Sequence, residues 1–181
     1  MPPGPLKYEG WQQLTRKYPD QEVIKGIRGI CEFRAEIGYE GERPPITIYQ
    51  NLETALNNPQ IVSSDIANEI QKNRLESYFN YDSLPPHFSA SLLGITDKPD
   101  VSKREIYHLS YPTNTKMSIN SGIPEAYGTI THCRIRHATL AIRKFGKGCL
   151  LIKRDFESTF RHIPIALADI LLLGFEWRGK Y

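Results

Sequence analysis

Long apolar runs are missing from this chain of 181 residues. No window reaches the ~18 consecutive apolar residues that a membrane-spanning helix needs, and the opening MPPGPLKYEG has no apolar signal core. The chain is therefore expected to be soluble and intracellular, cytoplasmic or nuclear, with no membrane among its partners. Cysteine is scarce too. Cys31, Cys133 and Cys149 are odd in number and far apart, which suits neither a disulfide framework nor the paired spacing of a structural zinc site. Buried thiols are expected. The 5 histidines include no His-x-x-x-His pair that would set two imidazoles on one helix face. Internal repeats and low-complexity tracts are absent as well.

What is present is ordinary in bulk and uneven in detail. With 40% apolar and 24% charged residues, the chain can fill one globular core. Its net charge of +3 is divided along the sequence: residues 1–90 hold 9 Lys/Arg against 12 Asp/Glu, a balance of −3, and residues 91–181 hold 14 against 8, a balance of +6. The densest basic stretch holds Arg134, Arg136, Arg143, Lys144, Lys147, Lys153 and Arg154 within 21 residues that contain no acidic side chain. Such a stripe can follow a phosphate backbone or gather polyphosphate substrates, and it can equally be a solvated helix face.

Asp20–Phe33 carries Val23, Ile24, Ile27, Ile30 and Cys31 at helical spacing behind a capping Asp20. Asn51–Asn57 predicts a short helix, and Pro59 opens a longer one through Tyr78 with Ile61, Val62, Ile66 and Ile70. The pair Pro85–Pro86 breaks the pattern. Short apolar runs then predict strands at Ser91–Thr96, Glu105–Leu109, Cys149–Phe156 and Ile170–Trp177, with a helix at Cys133–Phe145 ended by Gly146 and Gly148. Trp177–Lys180 has the composition of a hairpin turn whose returning strand begins at Tyr181, so the chain is expected to break off in mid-element. The fold expected is α+β: a helical N-terminal region over residues 1–85, and over residues 86–181 a β-hairpin around 90–110 followed by an incomplete sheet.

The chemistry gathers in Leu150–Ile165, LLIKRDFESTFRHIPI. An apolar strand ends on Asp155, a tight segment follows, and an aromatic, Phe160, stands five residues on. Hard divalent cations take oxygen ligands, and a two-metal site needs them on a rigid edge. The bland alternative is that Asp155 caps a helical turn and Phe160 is core. The segment resembles the first palm motif of retrotransposon reverse transcriptases. That resemblance implies that Asp155 and the backbone carbonyl of Phe156 hold catalytic Mg2+, that the amides of Ser158 and Thr159 face the triphosphate, and that Phe160 is the steric gate that excludes a 2′-hydroxyl.

Other segments resemble the same family in the same order. Gly94-Ile95-Thr96-Asp97-Lys98 is similar to its Gly-hydrophobic-Val-Pro-Lys stretch. Arg104-Glu105-Ile106-Tyr107-His108-Leu109-Ser110 is similar to its Trp-Arg-Leu-Ile fingers strand with the Asp-Leu-Ser that follows. By that resemblance Lys98 and Arg104 reach the triphosphate, where two cations across a hairpin can neutralise one polyphosphate. Ser118-Ile119-Asn120-Ser121-Gly122-Ile123 resembles the family's Ser-Val-Asn-Asp-Gly-Ile turn, and Leu171-Leu172-Leu173-Gly174-Phe175-Glu176-Trp177 the strand after the first catalytic motif. Tyr18-Pro19-Asp20 through Gly38-Tyr39 resembles the lead-in of DIRS-type and related fungal retroelement polymerases.

The departures have consequences. Lys103 stands where the fingers motif has Trp, and His108 where it has Asp, which suggests relaxed constraint. The chain contains no Tyr-x-Asp-Asp motif and no Leu-Pro-x-Gly segment. Two-metal phosphoryl transfer needs more carboxylates than Asp155 alone. The expected function is therefore a fragment of an RNA-directed DNA polymerase that is inactive by itself. Its implied partners are deoxynucleoside triphosphates, an RNA/DNA template-primer and the remaining polymerase segment. One alternative is a non-catalytic nucleic-acid-binding remnant using Arg134, Arg136, Arg143, Lys144 and Lys147. Another is an unrelated α+β interaction domain that binds neither nucleotide nor nucleic acid. An incomplete sheet is expected to leave apolar surface exposed and the chain prone to associate.

Overall fold

The computed structural model describes residues 7–75, 79–100, 102–128, 134–152 and 159–181. A short helix, α1 (Tyr8–Leu14), packs against α2 (Gln21–Phe33), where the Arg28 guanidinium reaches the carbonyl of Gln12 at 3.4 Å. Helix α2 forms where its cap and apolar stripe agree: the Asp20 carboxylate accepts the N–H groups of Glu22 and Val23, both at 3.1 Å. Two further helices follow, α3 (Glu53–Leu56) and α4 (Pro59–Gln71), the latter with proline at its first position.

Helix α4 stops short of the expected Tyr78. Asn73 takes a left-handed φ of 54°, and the Arg74 N–H donates to the Glu69 carbonyl at 2.9 Å while the Asn73 N–H donates to that of Ile70 at 2.9 Å. This is a Schellman ending, which asparagine tolerates and which closes the helix. Residues 76–78 lie outside the described residues.

The strands are short. Strands β1 (Thr47–Ile48) and β2 (Ser89–Ser91) pair in parallel, and a later β5 (Gly174–Phe175) pairs in parallel with the other edge of β2. Strands β3 (Leu93–Asp97) and β4 (Lys103–Tyr107) form an antiparallel hairpin with five residue pairs from Leu93↔Tyr107 to Asp97↔Lys103. The single strand expected at Ser91–Thr96 is thus divided at Leu92, because its first residues meet parallel neighbours and its last ones meet β4. The strand expected at Glu105–Leu109 lies two residues earlier.

The remaining helices are α5 (Glu125–Gly128), α6 (Ile135–Phe145) and α7 (Leu167–Ile170). Helix α6 matches the expected Cys133–Phe145 apart from its start, Cys133 lying outside the described residues. Gly146 and Gly148, at φ 84° and 88°, end it. Two strand expectations are corrected. Ile170–Trp177 is mostly a continuation of α7 through a 3-10 turn at Leu171–Leu173, with only Gly174–Phe175 extended; a continuous apolar run has no period to separate buried helix from strand. Cys149–Ile152 forms no ladder, and residues 153–156 lie outside the described residues.

The turn at Trp177–Lys180 forms as expected. Arg178 and Gly179 both take positive φ, 52° and 74°, and the flanking residues exchange N–H···O bonds of 2.8 and 3.1 Å, the two-residue turn that suits a hairpin. Tyr181 then pairs through its backbone with Phe79 at 2.8 and 3.1 Å.

The fold is mixed α and β, with seven α-helices and two small sheets among the described residues. Its central core joins Ala55, Val62, Ile66, Leu93, Ile95 and Trp177, so it crosses the expected boundary between residues 85 and 86. Asn51 clips three segments of it: its Oδ1 accepts the Leu93 N–H and its Nδ2 donates to the Glu176 carbonyl, both at 2.8 Å. Cys31 and Cys149 are half-buried rather than buried. Among the described residues no helix is long and apolar enough to cross a membrane.

Candidate nucleotide and nucleic-acid interface

The β3–β4 hairpin has two chemically different faces because side chains alternate along a strand. Leu93, Ile95, Glu105 and Tyr107 turn inward, toward α3 and α4. Thr96 and Arg104 stand on the opposite face, and just past the end of β3 the Lys98 N–H donates to the Ser102 carbonyl at 2.7 Å, which closes the turn between the strands. Lys98 and Arg104 are both exposed, and neither belongs to an ion pair of the described residues. Lys98 is near Asp100, whose carboxyl is held below its usual range by Ser102 first, through side chain and backbone, and by Lys98 as well. Lys103, on the other face, is neutralised by Asp97 at 3.1 Å.

Gly94 has a packing reason of its own. A Cβ there would come within 2.7 Å of a Leu52 methyl and 3.1 Å of Ile106, so glycine lets the Leu52 side chain, just before α3, lie against the hairpin. The Ser118–Ile123 turn is tied to the same region: Asn120 donates its N–H to the Leu109 carbonyl at 3.0 Å and its side-chain amide to the Ser110 hydroxyl at 2.6 Å. The Tyr39 ring lies directly against Gly122, leaving no room for a side chain.

Asp155, Phe156 and Ser158, to which the resemblance assigns magnesium and triphosphate, lie outside the described residues, as do Lys153 and Arg154. Thr159 opens a 3-10 turn, Thr159–His162. Phe160 is 83% exposed, which removes the reading of it as core. Its neighbour Arg161 turns inward against the face of β4 opposite Arg104. Lys98 and Arg104 are both exposed near the hairpin tip, and Phe160 is not brought to them directly.

Beneath the hairpin lies a set of charges that the sequence reading missed. Arg161 bridges two buried carboxylates, with Nη1 3.2 Å from Glu69 Oε2 and Nη2 3.7 Å from Glu105 Oε2, and its guanidinium lies 5.3 Å from the centre of the Tyr107 ring. Arg74 adds a pair to Glu69 at 3.6 Å and a 3.3 Å contact to the His162 imidazole. The Glu105 side chain is 2% exposed, and its 3.7 Å pairing with Arg161 is longer than a normal hydrogen bond. Burial pushes its carboxyl above the usual carboxylate range, with Asp65 adding to the effect and Arg161 opposing it. Burial likewise pushes the Tyr107 phenol up, reinforced by Glu105. Burial by itself would lower Arg161, but Tyr107, Glu69 and Glu105 hold it above its ordinary value. One signal was available: Glu69 falls on the same α4 stripe as Val62 and Ile66, where a carboxylate needs a partner.

Helix α6 is the second basic surface. Arg134, Arg136, Arg143, Lys144 and Lys147 are all exposed, and no residue of the helix is buried. Its apolar side is equally open, and with Cys149, Leu150 and Leu151 it borders a cavity lined by Ala141, Ile142 and Phe145. A second cavity lies between Tyr39, Tyr127 and Asp169, where Asp169 pairs with Arg43 at 2.6 Å and accepts the Ile37 N–H at 3.0 Å. Among the described residues no group of three or more His, Cys, Asp or Glu could hold a metal ion. No family model, curated protein or solved structure matches the chain.

Proposed function

We propose that the chain is the fingers and first palm segment of a retrotransposon reverse transcriptase, and that by itself it binds deoxynucleoside triphosphate without completing phosphoryl transfer. The observation that carries this reading is the exposure of Arg104 on β4 and of Lys98 just past the end of β3, both outside any ion pair of the described residues. An ammonium and a guanidinium near one hairpin tip would offer a point charge and a planar fork to one polyphosphate. Magnesium held by Asp155 and the Phe156 carbonyl would screen the same phosphates. The steric-gate role of Phe160 and a template-primer as partner belong to this proposal.

The test is a titration of dATP with magnesium, followed by tryptophan fluorescence, on the wild type, Asp155→Ala and Arg104→Ala. Saturable binding that is lost in both variants is expected. A folded wild type that does not bind, or variants that bind as well as it does, would remove the reading.

A second reading is favoured by one specific observation, the exposure of every basic side chain on and beside α6 among the described residues. A nucleic-acid-binding remnant would hold single-stranded RNA through that stripe. Its affinity would fall steeply with added salt and survive Asp155→Ala.

A further inference from the structure

We propose that Arg161 is a positioning residue: through Glu105 and Glu69 it ties the turn that follows Asp155 to the nucleotide-facing hairpin, and so governs nucleotide affinity and sugar selection there. The inference rests on the function proposed above and assigns a task to charges that the function does not use.

Adjacent residues of β4 point to opposite faces, so Arg104 and Glu105 move as one rigid piece. Whatever holds Glu105 from below therefore fixes where Arg104 stands above. Arg161 holds it, and Arg161 is the direct neighbour of the exposed Phe160. The same guanidinium reaches Glu69 on α4, so three segments far apart in sequence meet at one side chain. The groups that act on Glu105 are Asp65 from α4, Tyr107 from β4 and Arg161 from the 3-10 turn, and Arg161 pairs in turn with Glu69, which Arg74 also reaches. A planar fork can serve two carboxylates at once, which a lysine cannot do with the same geometry. A planar guanidinium holds a phosphate through directed hydrogen bonds, so an Arg104 displaced from its place loses its share of the binding.

The experiment compares Arg161→Met with Arg43→Met, each measured for thermal stability and for affinity toward magnesium dATP and magnesium ATP. Arg43 is a fair control because it also pairs with a buried carboxylate, Asp169 at 2.6 Å, but stands away from the hairpin. Both variants should lose stability. Only Arg161→Met should lose about tenfold in dATP affinity, together with its preference for dATP over ATP. If Arg161→Met does not fold, Arg161→Lys and Glu105→Gln take its place, with losses of about threefold expected from each. A wild type that binds dATP while the Arg161 variants match Arg43→Met in affinity and preference overturns this inference and leaves the proposed function standing. A wild type that binds no dATP removes the proposed function, and this inference with it.

Discussion

Under α4, Val62, Ile66, Leu93 and Ile95 are at most 6% exposed, whereas Ile135, Phe145, Leu150, Leu151 and Ile152 on and after α6 are between 69% and 93% exposed. The two regions draw on the same residue types. What separates them is the supply of partners. Leu93 has β4 alongside it, α3 across it and Trp177 closing the far side of the core, while no strand or helix of the described residues covers Leu150–Ile152. Apolar content gives a segment something to gain from burial, and only a neighbouring surface lets it be gained. Charge follows the same division: the core's carboxylates and arginines are paired, and the cations of α6 are solvated.

The largest effect expected from this contrast is on stability. Leu93→Ala should cost about 3 kcal/mol, because the site is fully buried and cannot collapse around the loss. Leu150→Ala, at 93% exposure, should change stability by less than about 0.5 kcal/mol. Urea unfolding followed by the fluorescence of Trp177 measures both. Equal losses at the two positions would mean that the region after α6 is covered in solution, and the contrast would fail.

A smaller loss is expected at Asn51, where polar rather than apolar groups join the core. Asn51→Ala leaves the Leu93 N–H and the Glu176 carbonyl without their partners, which should cost about 2 kcal/mol. Amide exchange at Leu93 should speed up more than at Ile106, whose position on the hairpin does not depend on that side chain. Uniform acceleration would indicate global destabilisation and deny Asn51 its local role.

Much of the core was legible because independent local signals agreed. Asp20 and the stripe of α2 pointed to one helix, and the apolar runs on either side of a polar turn located the β3–β4 hairpin. From strand alternation it also follows that Arg104 stands on the face opposite Glu105. The apolar run Ile170–Trp177 was misread as a strand because neither period marks it, and the helical turn that leads into it is held by the contacts of Asp169 with Arg43 and the Ile37 N–H. The Glu69–Arg161–Glu105 set was illegible for another reason. Its members are brought together only when α4, β4 and the 159–162 turn are assembled, and no local rule joins residues so far apart in sequence.

That same set gives the smallest and most specific prediction, a pH dependence belonging to the core region and absent from α6. Because the Glu105 carboxyl lies higher in the folded chain than its ordinary 4.5, folding favours its protonated form. Its contribution is fully present below the ordinary value and is lost as pH rises through the raised one. Glu105→Gln mimics the protonated state at every pH, so its melting temperature should match the wild type in acid and exceed it increasingly above about pH 4.5. The sign decides between two forces at one carboxylate. If the wild type instead gains on Glu105→Gln as pH rises, the attraction of Arg161 outweighs the cost of burial. In either case Arg161 stays 3.7 Å from Glu105, and the sign says only whether ionising that carboxyl costs stability or adds to it.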